Sequence, residues 1–311
     1  MIRQQVRIGT RGSKLALAQA GLMRAAIAAG LEGGLDAAPL IRITTSGDRI
    51  LDRPLMEVGG KGLFTKEIEE ALLAGRIDCA IHSLKDMPAL SPPGLIIAAI
   101  PEREDPRDAF LSNTFDSLDA LPRGARLGTA SLRRQAQALH RRPDLAIIPL
   151  RGNVDSRIAK LERGEADAIV LAAAGLNRLG LGRLAKGLID PIEAPPAPGQ
   201  GALAIQTRAA DADAPWLIAL RHPSTTLAAA AERGALEALE ASCRTAMGAF
   251  AFIERGRLAL IVEALTPDGA RRFRRRGEIA ETDGERAARD LGLRLGAEIR
   301  DEGGEALLAP P

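Results

Sequence analysis

The sequence is short of aromatic residues: it contains six Phe, one Trp and no Tyr among 311 residues. Proteins that bind single-stranded nucleic acid stack the bases on aromatic side chains, so this shortage argues against such a platform. The net charge is only +2, and nucleic-acid-binding domains are usually strongly basic. We therefore expect no nucleic-acid partner.

Cysteine and long apolar runs are also scarce. The two cysteines, Cys79 and Cys243, are too few for a disulfide framework. No apolar run approaches the ~20 residues of a membrane span, and the first residues lack the apolar core of a signal peptide. The three histidines fall in no metal-binding motif. These absences predict a cytoplasmic protein without a metal site or a membrane partner.

Short apolar runs alternate with segments of helical periodicity up to about residue 208. This alternation is typical of α/β crossover units on a mostly parallel sheet. Residues 42–47 are predicted to form a strand. Thr65 is a possible N-cap of a helix that ends at Gly75, and further helices are predicted from Ser131 and from Asn153 to Gly164.

Two short segments of the chain resemble each other. Gly75-Arg76-Ile77-Asp78 and Gly164-Glu165-Ala166-Asp167 each end a predicted helix and begin an apolar strand. Their separation is too long for a solenoid repeat but suits two related α/β halves. Chance similarity is the alternative, and the sequence leaves both open.

Two connectors divide the chain. Residues 101–108 are polar and residues 191–201 are rich in proline, as is typical of domain boundaries. The last part has a different order of predicted elements. It consists of a long helix (224–240), an antiparallel meander turning at Arg255-Gly256 and at 267–269, and a final helix (283–302). We expect domain 1 over 1–101 plus 202–220, domain 2 over 107–195 and an α+β domain 3 over 222–311.

Cationic residues cluster at the predicted strand-to-helix junctions. In a parallel sheet these junctions meet at the carboxyl ends of the strands, where helix N-termini also favour anions. An arginine there can bind a carboxylate or phosphate through two hydrogen bonds. Any one of these residues alone is more often an ordinary surface residue, but together they predict a polyanionic ligand, with acids elsewhere balancing the charge. They are Arg11, Lys61, Arg133, Arg134, Arg151 and Arg157.

The segment HSLKDMP (82–88) follows a buried strand and places Asp86 beside Lys85. A carboxylate at the end of such a strand can serve as an acid or base, or can stabilise a cation. A capping Asp in a turn is the alternative, and both remain open. The glycines around Lys61 are not followed by the Ser or Thr of a phosphate loop, which argues against nucleotide hydrolysis.

The two cysteines lie in different contexts. Cys79 lies in an apolar strand and is predicted to be an inert core residue. Cys243 follows the long helix and precedes Arg244, and a neighbouring cation lowers the pKa of a thiol. A buried turn residue and a covalent attachment point are both compatible with this context.

Seven segments stand out in order along the chain, among them GTRGSKLALAQA, DCAIHSLKDMP, LGTASLRRQAQ and PPAPGQGALAIQ. Together they resemble the porphobilinogen deaminase family. The resemblance implies two periplasmic-binding-protein-like α/β domains around a cleft, plus a small C-terminal α+β domain. It also implies a transferase that condenses four porphobilinogen molecules with loss of ammonia and releases hydroxymethylbilane, and a monomer by family precedent. The segments are GTRGSKLALAQA, VGGKGLFTKEIE, DCAIHSLKDMP, EREDPRDAF, LGTASLRRQAQ, LRGNVDSRIAKLERGEADAIVLAAAGLNRLG and PPAPGQGALAIQ.

The resemblance also implies roles for individual residues. Cys243 would hold a dipyrromethane cofactor through a thioether, and Asp86 would be the catalytic residue. The remaining positions are those for cofactor binding, Lys85, Ser131, Arg133, Arg134 and Asp86, and those for substrate binding, Arg11, Ser13, Arg151, Arg157 and Gln200.

One segment departs from the family pattern. The residues before Cys243 are Ala241 and Ser242, where the family has two glycines, so a backbone turn that needs a positive φ is in doubt there. The alternative function is a non-catalytic two-domain binding protein for a small polycarboxylate, which would have no need for HSLKDMP or Cys243.

Overall fold

The computed structural model describes residues 5–49, 65–239 and 245–308, and the chain divides into two compact units. The first unit comprises residues 1–104 and 202–226, and the second comprises residues 105–201 and 227–311. The chain passes from one unit to the other after Glu104, after Gly201 and after Thr226. The first two positions lie within the connectors that the sequence indicates, whereas the third lies in the predicted helix 224–240.

The described residues form the following strands and helices. The strands are β1 (Ile8–Thr10), β2 (Leu40–Arg42), β3 (Cys79–Ser83), β4 (Leu95–Ala99), β5 (Asp108–Leu111), β6 (Arg126–Thr129), β7 (Ala146–Pro149), β8 (Ala168–Ala172), β9 (Gly187–Leu188), β10 (Leu203–Arg208), β11 (Ala246–Glu254), β12 (Arg257–Leu265) and β13 (Arg272–Ala280). The helices are α1 (Lys14–Ala28), α2 (Ser46–Arg49), α3 (Lys66–Leu73), α4 (Leu132–Arg141), α5 (Val154–Glu162), α6 (Ala173–Arg178), α7 (Pro215–Ile218), α8 (Pro223–Ala238) and α9 (Gly284–Gly303).

Each α/β sheet has five strands and the same topology. The first unit has the order β2-β1-β3-β10-β4, and the second has β7-β6-β8-β5-β9. In each sheet one strand, β10 or β5, runs antiparallel to its neighbours, whereas the other pairings are parallel. The predicted α/β class and mostly parallel sheet are thus confirmed, with one reversed strand in each sheet that the sequence did not indicate.

Two of the local predictions need correction. Residues 42–47 are not a strand: β2 ends at Arg42, and Ser46 begins the short helix α2. Thr65 occupies the N-cap position of α3, but its side chain makes no capping hydrogen bond. Its buried hydroxyl has no partner among the described residues. The end of that helix agrees with the prediction, since Gly75 follows it with a φ of +67°.

An arginine and an aspartate close the amino-terminal edge of the first sheet. Asp78 precedes β3, and its Oδ2 accepts from the backbone N–H of Arg7 at 3.0 Å and from Arg7 Nε at 3.0 Å. The same guanidinium donates to the carbonyl of Gly75 at 2.7 Å. This arrangement joins the end of α3 to the starts of β1 and β3.

The second unit contains the same arrangement. Asp167 precedes β8 and accepts from the backbone N–H of Arg126 at 2.7 Å and from Arg126 Nη2 at 2.8 Å. Arg126 Nη2 also donates to the carbonyl of Gly164 at 2.9 Å. The two similar sequence segments therefore occupy equivalent places with equivalent hydrogen bonds, which favours two related halves over chance similarity.

The third sheet is the predicted antiparallel meander, in the order β11-β12-β13. One face packs against α8 and α9 in a core of its own. Within the second unit, the turn after β12 lies against α4: the carbonyl of Gly269 is 2.8 Å from His140 Nδ1. A Cβ at Gly269 would lie 2.5 Å from the carbonyl oxygen of Ala136, and its φ is +73°. Only glycine fits this contact.

No helix within the described ranges is long and apolar enough to cross a membrane.

Candidate active site

In the first unit, the predicted site residues follow two neighbouring parallel strands. Arg11 and Ser13 follow β1, and Lys85 and Asp86 follow β3. Because β1 pairs with β3 in parallel, these residues lie at the same carboxyl edge of the sheet. Two separate sequence motifs therefore meet in the fold, as the junction argument predicts.

Asp86 is the last residue of a single 3-10 turn, Leu84–Asp86, and it is exposed. Its carboxylate accepts no hydrogen bond from any residue in the described ranges, so it does not cap the turn. The neighbours Leu84 and Met87 are buried and anchor the turn on both sides. The turn thus presents an exposed carboxylate at the cationic edge of this sheet.

Ser13 caps the N-terminus of a helix in the first unit. It is the N-cap of α1, and its Oγ accepts from the backbone N–H of Ala16 at 3.2 Å. The hydroxyl hydrogen remains available for donation to a ligand. One turn further, Gln19 Nε2 donates to Ser83 Oγ at 2.9 Å and fixes the end of β3 relative to α1.

His82 lies on β3 and is buried. Burial, together with the positive charge of nearby Arg11, lowers its pKa to about 4, although the hydrogen bond to Gln206 opposes the shift. Its Nε2 has no hydrogen-bond partner within the described ranges. The imidazole is therefore neutral at neutral pH and adds no positive charge to this edge.

In the second unit, a buried carboxylate pairs with two of the predicted cofactor-binding arginines. Asp108 Oδ2 accepts from Arg133 Nη1 at 2.7 Å, and Asp108 Oδ1 accepts from Arg134 Nη2 at 2.7 Å. Burial alone would raise the pKa of the Asp108 carboxyl, but the two guanidinium groups hold it well below its usual range. All three side chains are buried.

Asp108 corrects two sequence expectations. It begins strand β5, although the sequence placed it at the end of a polar connector. It also lies inside the cationic cluster, whereas the balancing acids were expected elsewhere. The segment EREDPRDAF contains Asp108. The sequence alone does not show which of its acids pairs with arginines about 25 residues further along the chain.

The pairing leaves donors for a ligand. Arg133 Nε and Nη2 and Arg134 Nη1 donate to no residue in the described part of the chain. With one carboxylate between two guanidinium groups, the cluster keeps a net positive charge. Ser131 is the N-cap of α4, and its Oγ accepts from the backbone N–H of Arg134. It therefore fixes the start of the helix that carries both arginines.

Arg157 and Arg151 add further positive charge at this edge. Burial and, to a smaller extent, the positive charges of Arg134 and Arg151 lower the pKa of Arg157 to about 10. Clustered like charges are unfavourable unless an anion joins them. Since β6 and β7 are parallel neighbours, the N-termini of α4 and α5 meet here as predicted.

The loop before α5 depends on a glycine. Gly152 has a φ of +121°, and a Cβ there would lie 2.1 Å from Ser156 Oγ. Its carbonyl accepts from Arg157 Nε at 2.7 Å. The loop therefore fixes one side of the Arg157 guanidinium and leaves its Nη1 and Nη2 groups without a partner among the described residues.

Gln200 is only 1% exposed, and its amide faces the same cluster. Its Nε2 donates to the carbonyl of Pro106 at 2.7 Å and to Asp108 Oδ1 at 2.9 Å. The structure therefore brings Gln200 to Asp108 and Arg134. The resemblance assigned Gln200 to substrate binding and the sequence pattern placed it in a connector, but neither indicated its contact with Asp108.

The structure describes one of the two cysteines, and its surroundings agree with the prediction. Cys79 is buried, and burial raises the pKa of its thiol. This confirms it as a core residue. Cys243 lies in residues 240–244 and Lys61 lies in residues 50–64, and both segments are outside the described ranges.

Replacing Asp108 with Asn should strongly destabilise the second unit. The substitution leaves two buried guanidinium groups without their counter-ion, and such a loss costs about 3–5 kcal/mol. We expect the thermal unfolding midpoint to fall by roughly 6–20 °C. Because the pKa of Asp108 is lowered by folding, its contribution is present above about pH 4 and is lost as the pH falls below it.

The matched control is Asp119→Asn in the same unit. Asp119 pairs with Arg141, but its side chain is 54% exposed. Exposed ion pairs contribute less than about 1 kcal/mol, so the midpoint should move by less than about 4 °C. An equal effect of the two substitutions would contradict the special role of Asp108.

Fold and site together define a class of protein. It has two α/β sheets of one topology, each with cationic side chains at the carboxyl edge of its parallel strands, followed by a small α+β region. Two family models match the chain in the same order. "Porphobilinogen deaminase, dipyromethane cofactor binding domain" matches residues 6–215, and "Porphobilinogen deaminase, C-terminal domain" matches residues 226–301.

The chain belongs to the porphobilinogen deaminase family. It is 67% identical to a porphobilinogen deaminase of Caulobacter vibrioides over 98% of each chain. It is 68% identical to that of Caulobacter sp. (strain K31) over 99% of each chain. For Phenylobacterium zucineum the identity is 64%, over 97% of this chain and 98% of the relative.

Solved structures with a similar arrangement of elements include the methionine-binding protein MetQ. Its TM-score is 0.44 at 15% identity, over 70% of this chain and 89% of that one. A periplasmic substrate-binding protein of an ABC transporter from Coxiella burnetii has a TM-score of 0.42 at 18% identity, over 70% of this chain and 90% of that one. This likeness carries no argument about the ligand.

Proposed function

We propose that this chain is a transferase, hydroxymethylbilane synthase, that joins four porphobilinogen molecules head to tail with loss of ammonia. Family membership over nearly the full chain supports the activity. The observation that carries the proposal at the site is the arginine group Arg134, Arg151 and Arg157, in which burial and then the neighbouring positive charges lower the pKa of Arg157. A ligand with carboxylate groups relieves this repulsion, and each porphobilinogen unit carries two.

The donors in the second unit fit the dipyrromethane cofactor. Arg133 and Arg134 are fixed by Asp108 yet keep guanidinium N–H groups for carboxylates. We propose that they hold the cofactor together with Ser131 and Lys85, and that Cys243 attaches it. When bound, the cofactor supplies the terminal pyrrole to which the first substrate is joined.

Arg11, Ser13, Arg151 and Arg157 are proposed to bind the carboxylates of the substrate. These four side chains lie at the carboxyl edges of the two sheets, and Ser13 can donate its hydroxyl hydrogen. Gln200 has a different proposed role, because its amide nitrogen is bonded to Asp108. It supports the paired arginines rather than contacting the substrate.

Asp86 is the proposed catalytic residue. As ammonia leaves porphobilinogen, positive charge develops on the pyrrole, and a nearby carboxylate stabilises that charge. The same group can accept or return a proton when the new carbon–carbon bond forms. Its exposure and lack of hydrogen bonds among the described residues suit a group that must approach each incoming substrate.

The test is the reaction itself. Purified protein incubated with porphobilinogen should release one ammonia for each porphobilinogen consumed, and one hydroxymethylbilane for every four. A non-catalytic polycarboxylate-binding protein would retain porphobilinogen unchanged and release no ammonia. That second result would overturn the proposal.

A further inference from the structure

A buried carboxylate on β12 belongs to no part of the site described so far. Glu263 is 1% exposed and lies on the face of the third sheet that packs against α4. Its Oε1 accepts from Gln137 Nε2 at 3.1 Å, and its Oε2 accepts no hydrogen bond from the described residues. Arg274 Nη1 and Arg272 Nε lie 3.7 Å and 3.9 Å from Oε2, beyond hydrogen-bond distance. Burying such a group is costly, so its position calls for a reason.

Glu263 and the carbonyl of Pro195 together determine which way the amide of Gln137 points. Gln137 Nε2 donates to Glu263 and also to the carbonyl of Pro195 at 2.9 Å. With both acceptors on the nitrogen side, Gln137 Oε1 must face the opposite way. There it accepts from Arg133 Nη1 at 2.9 Å. Gln137 lies four residues after Arg133, so both side chains share one face of α4.

The consequence is a fixed orientation of Arg133. Its Nη1 is held between Asp108 Oδ2 and Gln137 Oε1. This directs Nε and Nη2, the groups without a partner among the described residues, away from the pair. If the amide of Gln137 turned over, two N–H groups would face each other and Arg133 would have to move.

We propose that Glu263 is a positioning residue for the cofactor site, acting through Gln137 on the guanidinium of Arg133. The inference rests on the proposed function, in which Arg133 binds a carboxylate of the cofactor. It connects β12 of the third sheet with the anion-binding edge of the second. Burial raises the pKa of Glu263, and the Gln137 hydrogen bond opposes that shift. The role requires only an acceptor oxygen and not a charge.

The experiment compares Glu263→Gln with Glu263→Leu. Both variants lose the charge, but only the Gln side chain keeps an oxygen that can accept from Gln137. For Glu263→Leu we expect kcat for porphobilinogen to fall about 5- to 10-fold with KM within about 2-fold, as for one lost hydrogen bond in an ordered network. Glu263→Gln should stay within about 2-fold of the wild type.

Two further measurements separate positioning from stability. Intact mass of the purified variants gives the fraction of chains that carry the cofactor, which should fall for Glu263→Leu and be preserved for Glu263→Gln. The thermal midpoint of the Glu263→Leu variant should fall by no more than roughly 2–12 °C, the cost of one buried N–H of Gln137 left without its acceptor, so that kcat is compared on folded protein.

The Gln137→Leu variant removes the side chain that connects Glu263 to Arg133. It should give the same fall in kcat, and combining it with Glu263→Leu should give no further fall. Wild-type kcat and cofactor loading in Glu263→Leu and Gln137→Leu would overturn the inference, and so would an impairment of Glu263→Gln as large as that of Glu263→Leu. A wild-type protein that does not consume porphobilinogen would instead overturn the proposed function.

Discussion

Replacing Asp86 with Ala should abolish turnover while leaving the fold and the bound cofactor intact. Loss of an electrostatic group aimed at transition-state charge lowers kcat about 10²–10³-fold, and loss of an acid–base group lowers it about 10²–10⁴-fold. Since the proposed role combines both, we expect kcat to fall at least about 10³-fold. The measurement is the rate of hydroxymethylbilane release at saturating porphobilinogen.

The fold should not respond to this substitution. Asp86 is exposed and makes no hydrogen bond to another described residue, and changes at such positions usually alter stability by less than about 0.5 kcal/mol. The matched control is Asp36→Ala, because Asp36 is also an exposed aspartate in a 3-10 turn of the first unit. It should keep normal kcat. Near-normal kcat in Asp86→Ala would refute the catalytic role.

Replacing Cys243 with Ala should yield protein without covalently bound cofactor. A thioether needs the sulfur, so the intact mass of the variant should match the bare chain. The wild type, made where its precursor is available, should be heavier by two linked pyrroles. An aldehyde reagent for pyrroles should colour only the wild type. Turnover should be lost together with the adduct.

Cys79→Ala is the matched control. Cys79 is buried in β3, and burial raises the pKa of its thiol, which disfavours the nucleophilic thiolate. This variant should keep the added mass and should digest to a modified peptide that contains Cys243. An adduct that persists in Cys243→Ala and disappears in Cys79→Ala would move the attachment point to Cys79.

Elements set by local sequence could be predicted. Ser131 caps α4 as expected, because an N-cap depends on neighbouring residues alone. The turn between β11 and β12 falls at Arg255-Gly256, where both residues have positive φ, as a two-residue hairpin requires. The alternation of apolar residues on either side was enough to place it.

Elements set by distant contacts could not be predicted. Ser46 begins a helical turn where a strand was expected, because its backbone N–H donates to Glu67 Oε1 at 2.8 Å, and Glu67 belongs to another helix. Asp108 pairs with Arg133 and Arg134 only after β5 and α4 are brought together. The pattern of neighbouring residues in the sequence does not identify such distant partners.

The site could also be predicted only in part: its residues were identified, but their long-range contacts were not. The resemblance and the junction pattern named Arg133, Arg134 and Asp86, and the fold places each at a carboxyl edge. Neither could show that two of these residues share a buried counter-ion. Nor could they show that Glu263, which has apolar neighbours on both sides in β12, reaches Arg133 through Gln137.

The repeated Asp78–Arg7 and Asp167–Arg126 pairs lie at the amino-terminal edge of each sheet, opposite the edge that carries the proposed chemistry. In each sheet, these pairs therefore stabilise the fold at the edge opposite the residues proposed to bind and react. Substitutions at the amino-terminal edge should change protein lifetime and yield with little effect on rate. At the other edge, Asp86 should change rate alone, whereas Asp108 should change stability as well. For an engineer, this means that the amino-terminal edge of either half is the place to change thermal robustness without altering the proposed reactive edge.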